Sequence, residues 1–161
     1  MTRIHVPVAL RWSDFDAYAH VNNAEMLRLL EEARIEAFWR PDAGANPADA
    51  RPTAVIESGP HAKSITLIAR QEIEYLAPIP FQRRPIDIEM WIGRIGGASI
   101  EVCYEVYSPE GVEPRVLHTI ASTTLVLVDA ATGKPTRVSE ETRAKLAEYI
   151  EEPVRFGKRR S

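Results

Sequence analysis

The chain has 161 residues, of which 45% are hydrophobic and 27% charged, and these proportions are typical of one compact globular domain. A formal net charge of −3 excludes the overall basic field of most nucleic-acid-binding domains. The single cysteine, Cys103, excludes an internal disulfide, and neither cysteine nor histidine shows metal-ligand spacing, so we expect no metal.

The chain is predicted to be a single domain over residues 1–161, with a basic tail from about residue 153. No segment has the roughly 18 consecutive apolar residues of a membrane helix, and the first residues alternate instead of forming the apolar run of a secretion signal. We therefore expect a cytoplasmic protein without membrane contact. The tail contains Lys158, Arg159 and Arg160, a basic run that is either a solvated end or a contact for phosphates.

Residues 2–12 alternate and predict a strand with one apolar face, made of Ile4, Val6, Val8, Leu10 and Trp12. A helix of about 17 residues, or roughly 25 Å, is predicted next. Asn22 is a suitable N-cap, and Arg40-Pro41 ends the helix because proline disfavours the helical conformation in the residue before it. Its apolar stripe is wide enough to be buried: Met26, Leu27, Leu29, Leu30, Ala33, Ala37 and Phe38.

A connection rich in proline, alanine and glycine follows over residues 41–61, either a plain surface loop or the wall of a binding pocket. Alternating patterns then predict four strands, at residues 65–75, 86–92, 100–106 and 116–128, and a short helix at residues 140–150. The last strand is apolar on both parities, which indicates a central strand covered on both faces.

This order of elements favours an α+β fold, in which one apolar helix and a single curled antiparallel sheet cover each other's apolar faces. The opposite face of the sheet still carries Trp91, Cys103 and Tyr107, and its edges need covering. Both features favour oligomerisation.

Two carboxylates, a histidine and two asparagines lie within ten residues just before the predicted helix: Asp14, Asp16, His20, Asn22 and Asn23. Amide N–H groups in the first turn of a helix lack partners, and together with the helix dipole they form an anion site. Thioester hydrolysis needs such donors for the oxyanion, and a nucleophile or general base close to them. An aspartate on the link that leads into the helix is able to fill that role.

The same segment resembles the signature of hotdog-fold thioesterases of the 4-hydroxybenzoyl-CoA thioesterase type, Asp-x-Asp-x-x-Gly-His-Val-Asn-Asn followed by an acidic-Ala-Arg run. Here it reads Asp14-Phe-Asp16-Ala-Tyr-Ala19-His20-Val21-Asn22-Asn23, with Glu31-Glu32-Ala33-Arg34 downstream. The resemblance implies a hotdog fold, in which one long central helix is wrapped by a curled antiparallel sheet of about five strands, with a short C-terminal helix.

The resemblance also implies roles for particular residues. Asp16 matches the catalytic carboxylate, and the backbone N–H of Asn23 matches the oxyanion donor. His20 and Asn22 match positions that shape the link and its hydrogen bonds, and Asp14 matches an acidic position with a structural role.

Two positions depart from the pattern. Ala19 replaces the usual glycine, so the turn there must tolerate a Cβ. Met26 replaces the usual tyrosine, which removes a hydroxyl and makes the pocket wall more apolar. The second change argues against a hydroxylated aromatic acyl group and leaves the chemistry intact.

The function implied by the resemblance is hydrolysis of a small-molecule acyl-CoA to a free acid and CoA. No cofactor is expected, because CoA is part of the substrate, and the expected assembly is a homodimer or homotetramer with sites at the subunit interface. A hotdog enoyl-CoA hydratase or dehydratase and a non-catalytic acyl-CoA-binding module remain alternatives. His61 is a further pocket candidate, and the sequence does not select among four candidate phosphate contacts: Arg70, Arg83, Arg84 and Arg94.

Overall fold

The computed structural model describes residues 2–157, within which the chain forms five strands and two α-helices. The strands are β1 (Ile4–Val8), β2 (Ser64–Tyr75), β3 (Ile86–Ile95), β4 (Ser99–Tyr107) and β5 (Leu117–Asp129), and the helices are α1 (Asn23–Phe38) and α2 (Glu140–Leu146). All strands pair antiparallel in one curled sheet of order β1-β3-β4-β5-β2. The predicted α+β order is confirmed. Lys158, Arg159 and Arg160 lie outside the described residues.

Helix α1 begins where the sequence predicts, because the Asn22 side chain accepts the N–H of Ala24 and caps the helix. It has 16 residues and is only slightly longer than the average helix of globular proteins, so the long helix that the resemblance implied is not evident. The predicted apolar stripe is buried except at Leu27, and Arg34 is buried with it. This stripe shares one core with the inner face of the sheet.

Strand β1 is shorter than predicted. It ends at Val8, and residues Trp12–Asp14 form a 3-10 turn that the Asp14 carboxylate stabilises by accepting the N–H of Arg11 at 2.7 Å. Trp12 therefore no longer follows the alternation of β1 and is 80% exposed. Its predicted place on the apolar face is wrong.

A β-bulge at Ala69 divides β2 into two halves with opposite parity. Ile73 and Tyr75 lie opposite Ala121 and Thr119 on the inner face, as the alternation predicts. Ile65 and Leu67, which share that parity in the sequence, lie on the outer face instead and are 42% and 51% exposed.

The outer face of the sheet is covered by residues 150–157, which we call the C-terminal segment. Its Glu151 N–H donates to the Ile92 carbonyl at 3.0 Å, and Trp91 Nε1 donates to the Glu152 carbonyl at 2.9 Å. Trp91 and Cys103 are buried as a result. These two residues therefore no longer argue for oligomerisation, which stays a prediction, and β2 remains as an edge strand with exposed apolar side chains.

Helix α2 ends at Leu146, and residues Ala147–Tyr149 continue as a 3-10 turn, so the predicted C-terminal helix is present but shorter. Within residues 2–157 no helix is both long and apolar enough to cross a bilayer.

Candidate active site

A cleft of about 490 Å³ opens between the loop that precedes α1, the first turn of α1 and the end of β2. Four of the six predicted site residues line it: Asp16, His20, Asn23 and Met26. The other two, Asp14 and Asn22, lie behind this lining and support it. The segment predicted from sequence therefore converges on one cleft.

Asp16 is half-buried, and its carboxylate is oriented by its own loop. Its Oδ1 accepts the backbone N–H of Tyr18 at 2.8 Å and of His20 at 3.2 Å, while its backbone N–H donates to the His20 carbonyl at 2.9 Å. Such short-range bonds are typical of aspartate in a turn. Oδ2 has no hydrogen-bond partner among residues 2–157, so one carboxylate oxygen is available to a ligand in the cleft.

The first turn of α1 presents an open donor at the cleft. The N–H of Ala24 is taken by the Asn22 side chain at 2.9 Å, but no acceptor in the described chain engages the N–H of Asn23. An unpaired amide at the positive end of a helix attracts an anion or the oxygen of a polarised carbonyl. Asp16, with its carboxylate, and Asn23, with its open amide donor, thus line the same cleft.

Asp14 is fully buried and holds the loop to the helix. Its carboxylate accepts the N–H of Arg11 and a guanidinium bond from Arg28 of α1, and its carbonyl accepts the N–H of Asn22 at 2.8 Å. The contacts with Arg28 and Asn22 therefore join the loop to the helix start, and the contact with Arg11 closes the turn itself. This geometry supports a structural role for Asp14.

Ala19 occupies the left-handed region with a φ of 58°. Glycine adopts this conformation without steric cost, whereas a Cβ contacts the following carbonyl. The expectation that this turn must tolerate a Cβ is confirmed.

Met26 is buried in the cleft wall, and a tyrosine hydroxyl comes from the sheet instead. Tyr75 ends β2, lines the cleft and donates its hydroxyl to the Asn23 carbonyl at 2.7 Å. Burial raises the pKa of Tyr75, so the phenol keeps its proton at neutral pH. This contact joins β2 directly to the first turn of α1.

Sequence reasoning missed the wall formed by β2 and the loop after it, which includes Tyr75, Leu76 and Ile79. The only sign of this wall in the sequence was that Tyr75 alternates in step with the apolar Ile73, which predicts the same face of the sheet for both. His61 lies exposed and does not line this cleft. Of the candidate phosphate contacts, Arg70 pairs with Glu72 at 2.8 Å.

The fold brings three possible metal ligands together that chain spacing did not reveal. One ligand atom each from His5, Asp87 and Glu89 lies within 4.8 Å of the others, on the outer face of the sheet. Arg115 already donates to Asp87 at 2.9 Å and to Glu89 at 2.5 Å. A guanidinium therefore balances these carboxylates, and the cluster is explained as an ion-pair network.

Comparisons with known proteins agree with this geometry. The family described as the thioesterase-like superfamily matches residues 10–146. No curated protein matches the chain.

Solved structures similar to this chain include a predicted thioesterase from Bacillus stearothermophilus (20% identity, 95% of this chain and 100% of that one, TM-score 0.72). A thioesterase from Thermus thermophilus, complexed with coenzyme A and zinc, is 23% identical over 92% of this chain and 95% of its own, with a TM-score of 0.66. The PA5185 protein of Pseudomonas aeruginosa PAO1 is 23% identical over 94% of both chains, with a TM-score of 0.69. At these identities the likeness establishes a shared fold.

Proposed function

Because the chain belongs to the thioesterase-like superfamily and is a thioester hydrolase, we propose that it hydrolyses an acyl-CoA to a free acid and CoA. The observation that carries this proposal is that one cleft is lined by Asp16, whose Oδ2 accepts no hydrogen bond within residues 2–157, and by Asn23, whose N–H has no acceptor there. We also infer the 4-hydroxybenzoyl-CoA thioesterase type and its hotdog arrangement, with α1 as the helix that the sheet encloses.

In the proposed reaction the thioester carbonyl oxygen accepts the N–H of Asn23. The helix dipole stabilises the negative charge that develops on this oxygen as the carbonyl carbon is attacked. His20 and Met26 shape the cleft around the reacting group. Collapse of the tetrahedral intermediate breaks the carbon–sulfur bond and releases the CoA thiolate, which takes up a proton.

Asp16 serves this reaction by one of two routes. Oδ2 attacks the carbonyl to give a mixed anhydride that water then hydrolyses, or it removes a proton from the attacking water. A single turnover in ¹⁸O-labelled water identifies direct attack if the first free acid is unlabelled. Direct attack by Asp16 leaves the label out of the first free acid when water opens the anhydride at the aspartyl carbonyl, whereas general-base catalysis places it there at once.

A thiol-release assay over a panel of acyl-CoA thioesters tests the proposal. We expect Asp16→Asn to abolish hydrolysis while the fold is retained, because asparagine still accepts the two loop N–H bonds at Oδ1 but is neither nucleophile nor base. Asp42→Asn, an exposed aspartate that does not line this cleft, is the matched control. Wild-type turnover by Asp16→Asn would refute the assignment. Loss of enoyl absorbance from crotonyl-CoA without thiol release would indicate a hydratase instead.

The proposed assembly is a homodimer or homotetramer with each site at a subunit junction. In support, β2 is an edge strand whose Leu67 and Ile68 are 51% and 44% exposed, and Tyr75 at its end lines the cleft. Pairing of β2 with β2 of a second copy would bury these side chains beside the cleft. Sedimentation velocity gives the oligomeric state of the wild type and of Ile68→Lys. Comparing it with the turnover of each protein tests this proposal. A monomer with normal activity contradicts a site that needs both chains.

A further inference from the structure

Three aromatic rings stack edge-to-face beside the cleft, and we call Trp12, Phe15 and Phe81 the aromatic platform. The ring centroids of Trp12 and Phe81 lie 5.3 Å apart with an interplanar angle of 74°, and those of Phe15 and Phe81 lie 5.3 Å apart at 67°. Trp12 is 80% exposed and Phe81 45% exposed. The platform therefore leaves the face of the Trp12 indole open to stacking with a planar ligand.

The platform is attached firmly to the loop that carries Asp16. Phe15 precedes Asp16 and pairs with Val21, while Pro80, next to Phe81, pairs with His20. Trp12 lies in the 3-10 turn that Asp14 stabilises, and four residues of chain place its Cα within about 14 Å of the Cα of Asp16. The platform is therefore a fixed surface next to the cleft but outside its lining.

Two arginines are close to the platform along the chain. Arg11 precedes Trp12, its side chain is 60% exposed, and its contact with an acid is a loose one to Asp14 at 3.6 Å. Arg83 follows Phe81 by two residues, is exposed and forms no ion pair with any residue from 2 to 157. Arg84 instead donates to the Glu110 carbonyl. An open indole beside two available guanidinium groups suits a ligand with a flat ring and phosphates.

Resting on the proposed function, we propose that the aromatic platform binds the adenine ring of the CoA nucleotide, with Arg11 and Arg83 contacting its phosphates. The thioester enters the cleft at Asp16, and the pantetheine arm leads outward, so the nucleotide meets surface beyond the cleft lining. The nucleotide is the same in every acyl-CoA. The platform would therefore add affinity for the carrier that does not depend on the acyl group.

The test compares an acyl-CoA with the matching acyl-pantetheine, which lacks the nucleotide. We expect the wild type to show a KM for the acyl-CoA about tenfold below that for the acyl-pantetheine, and Trp12→Ala to remove most of this advantage. Trp39→Ala is the matched control, because Trp39 is 38% exposed beyond the other end of α1 and should leave the advantage intact. Equal KM values in the wild type, or equal effects of both variants, would overturn the proposal.

Fluorescence with 3′,5′-ADP gives a second readout that does not depend on turnover. We expect the nucleotide to quench tryptophan emission in the wild type and in Trp39→Phe but not in Trp12→Phe, and Arg83→Ala to weaken binding and reduce its salt dependence. Absence of quenching in the wild type, or a change of oligomeric state in Trp12→Ala, would mean that the platform is not a nucleotide site. If the wild type hydrolyses neither thioester but 3′,5′-ADP still quenches Trp12, the proposed function fails and the platform stands.

Discussion

Two aspartates only two positions apart are expected to serve different purposes, and substitution to asparagine separates them. Asp14 is fully buried and bonds the guanidinium of Arg28, whereas Asp16 is half-buried and keeps a free oxygen in the cleft. A hydrogen bond to a charged group contributes about 1.5–3 kcal/mol. Arg28 is 28% exposed and keeps Glu25 and Glu32 as partners, so we take the lower half of that range. Asp14→Asn should therefore lower the free energy of unfolding by about 2 kcal/mol.

Urea unfolding followed by far-ultraviolet circular dichroism measures this difference. Asp16→Asn should stay within about 0.5 kcal/mol of the wild type, because its Oδ1 still accepts the N–H groups of Tyr18 and His20. Thiol release should show the reverse order, with turnover lost in Asp16→Asn and largely kept in folded Asp14→Asn. The reasoning is refuted if Asp14→Asn is as stable as the wild type, or if Asp16→Asn is the less stable of the two.

Three further outcomes are expected. Ala19→Gly should raise the free energy of unfolding by roughly 0.5 kcal/mol in thermal melts, because glycine relieves the positive φ but costs more backbone entropy; a lower melting temperature would contradict this. Tyr75→Phe should lower kcat about fivefold with little change in KM, because loss of one hydrogen bond to the Asn23 carbonyl weakens the positioning of the amide donor by about 1 kcal/mol; a change in KM alone would indicate substrate contact instead. Burial raises the pKa of Cys103 to about 11, so the protonated thiol should resist a disulfide reagent at pH 8 and react in denaturant.

The candidate site could be predicted because most of its contacts are local. Asp16 bonds residues two and four positions away, and Asn22 caps the helix through a residue two positions away. Such bonds depend on residue type and spacing, which the sequence displays directly. The positive φ of Ala19 was indicated by the resemblance, because the matching position usually holds glycine.

The features that could not be predicted depend on contacts between distant parts of the chain. The alternation of apolar and polar residues does not reveal such contacts. Tyr75 and Asn23 are 52 positions apart, and Gly157 donates to Glu74 across 83 positions. The bulge at Ala69 adds one residue to β2 and so moves every side chain before it to the opposite face. Periodicity assumes an unbroken strand, and it therefore predicts that Ile65 and Leu67 share the inner face with Ile73 and Tyr75.

The C-terminal segment alters the physical basis for expecting a partner subunit. The chain covers its own Trp91 and Cys103, so burial of the outer face no longer requires a second copy. At Gly157 the segment reaches the side chain of Glu74, and within residues 2–157 it does not pair with the edge of β2, on which Leu67 is 51% exposed. Since the same strand ends at Tyr75 in the cleft, a partner that pairs with β2 would lie against the site itself. The exposed edge of β2, and not the outer face of the sheet, is therefore the feature that supports the proposed shared site.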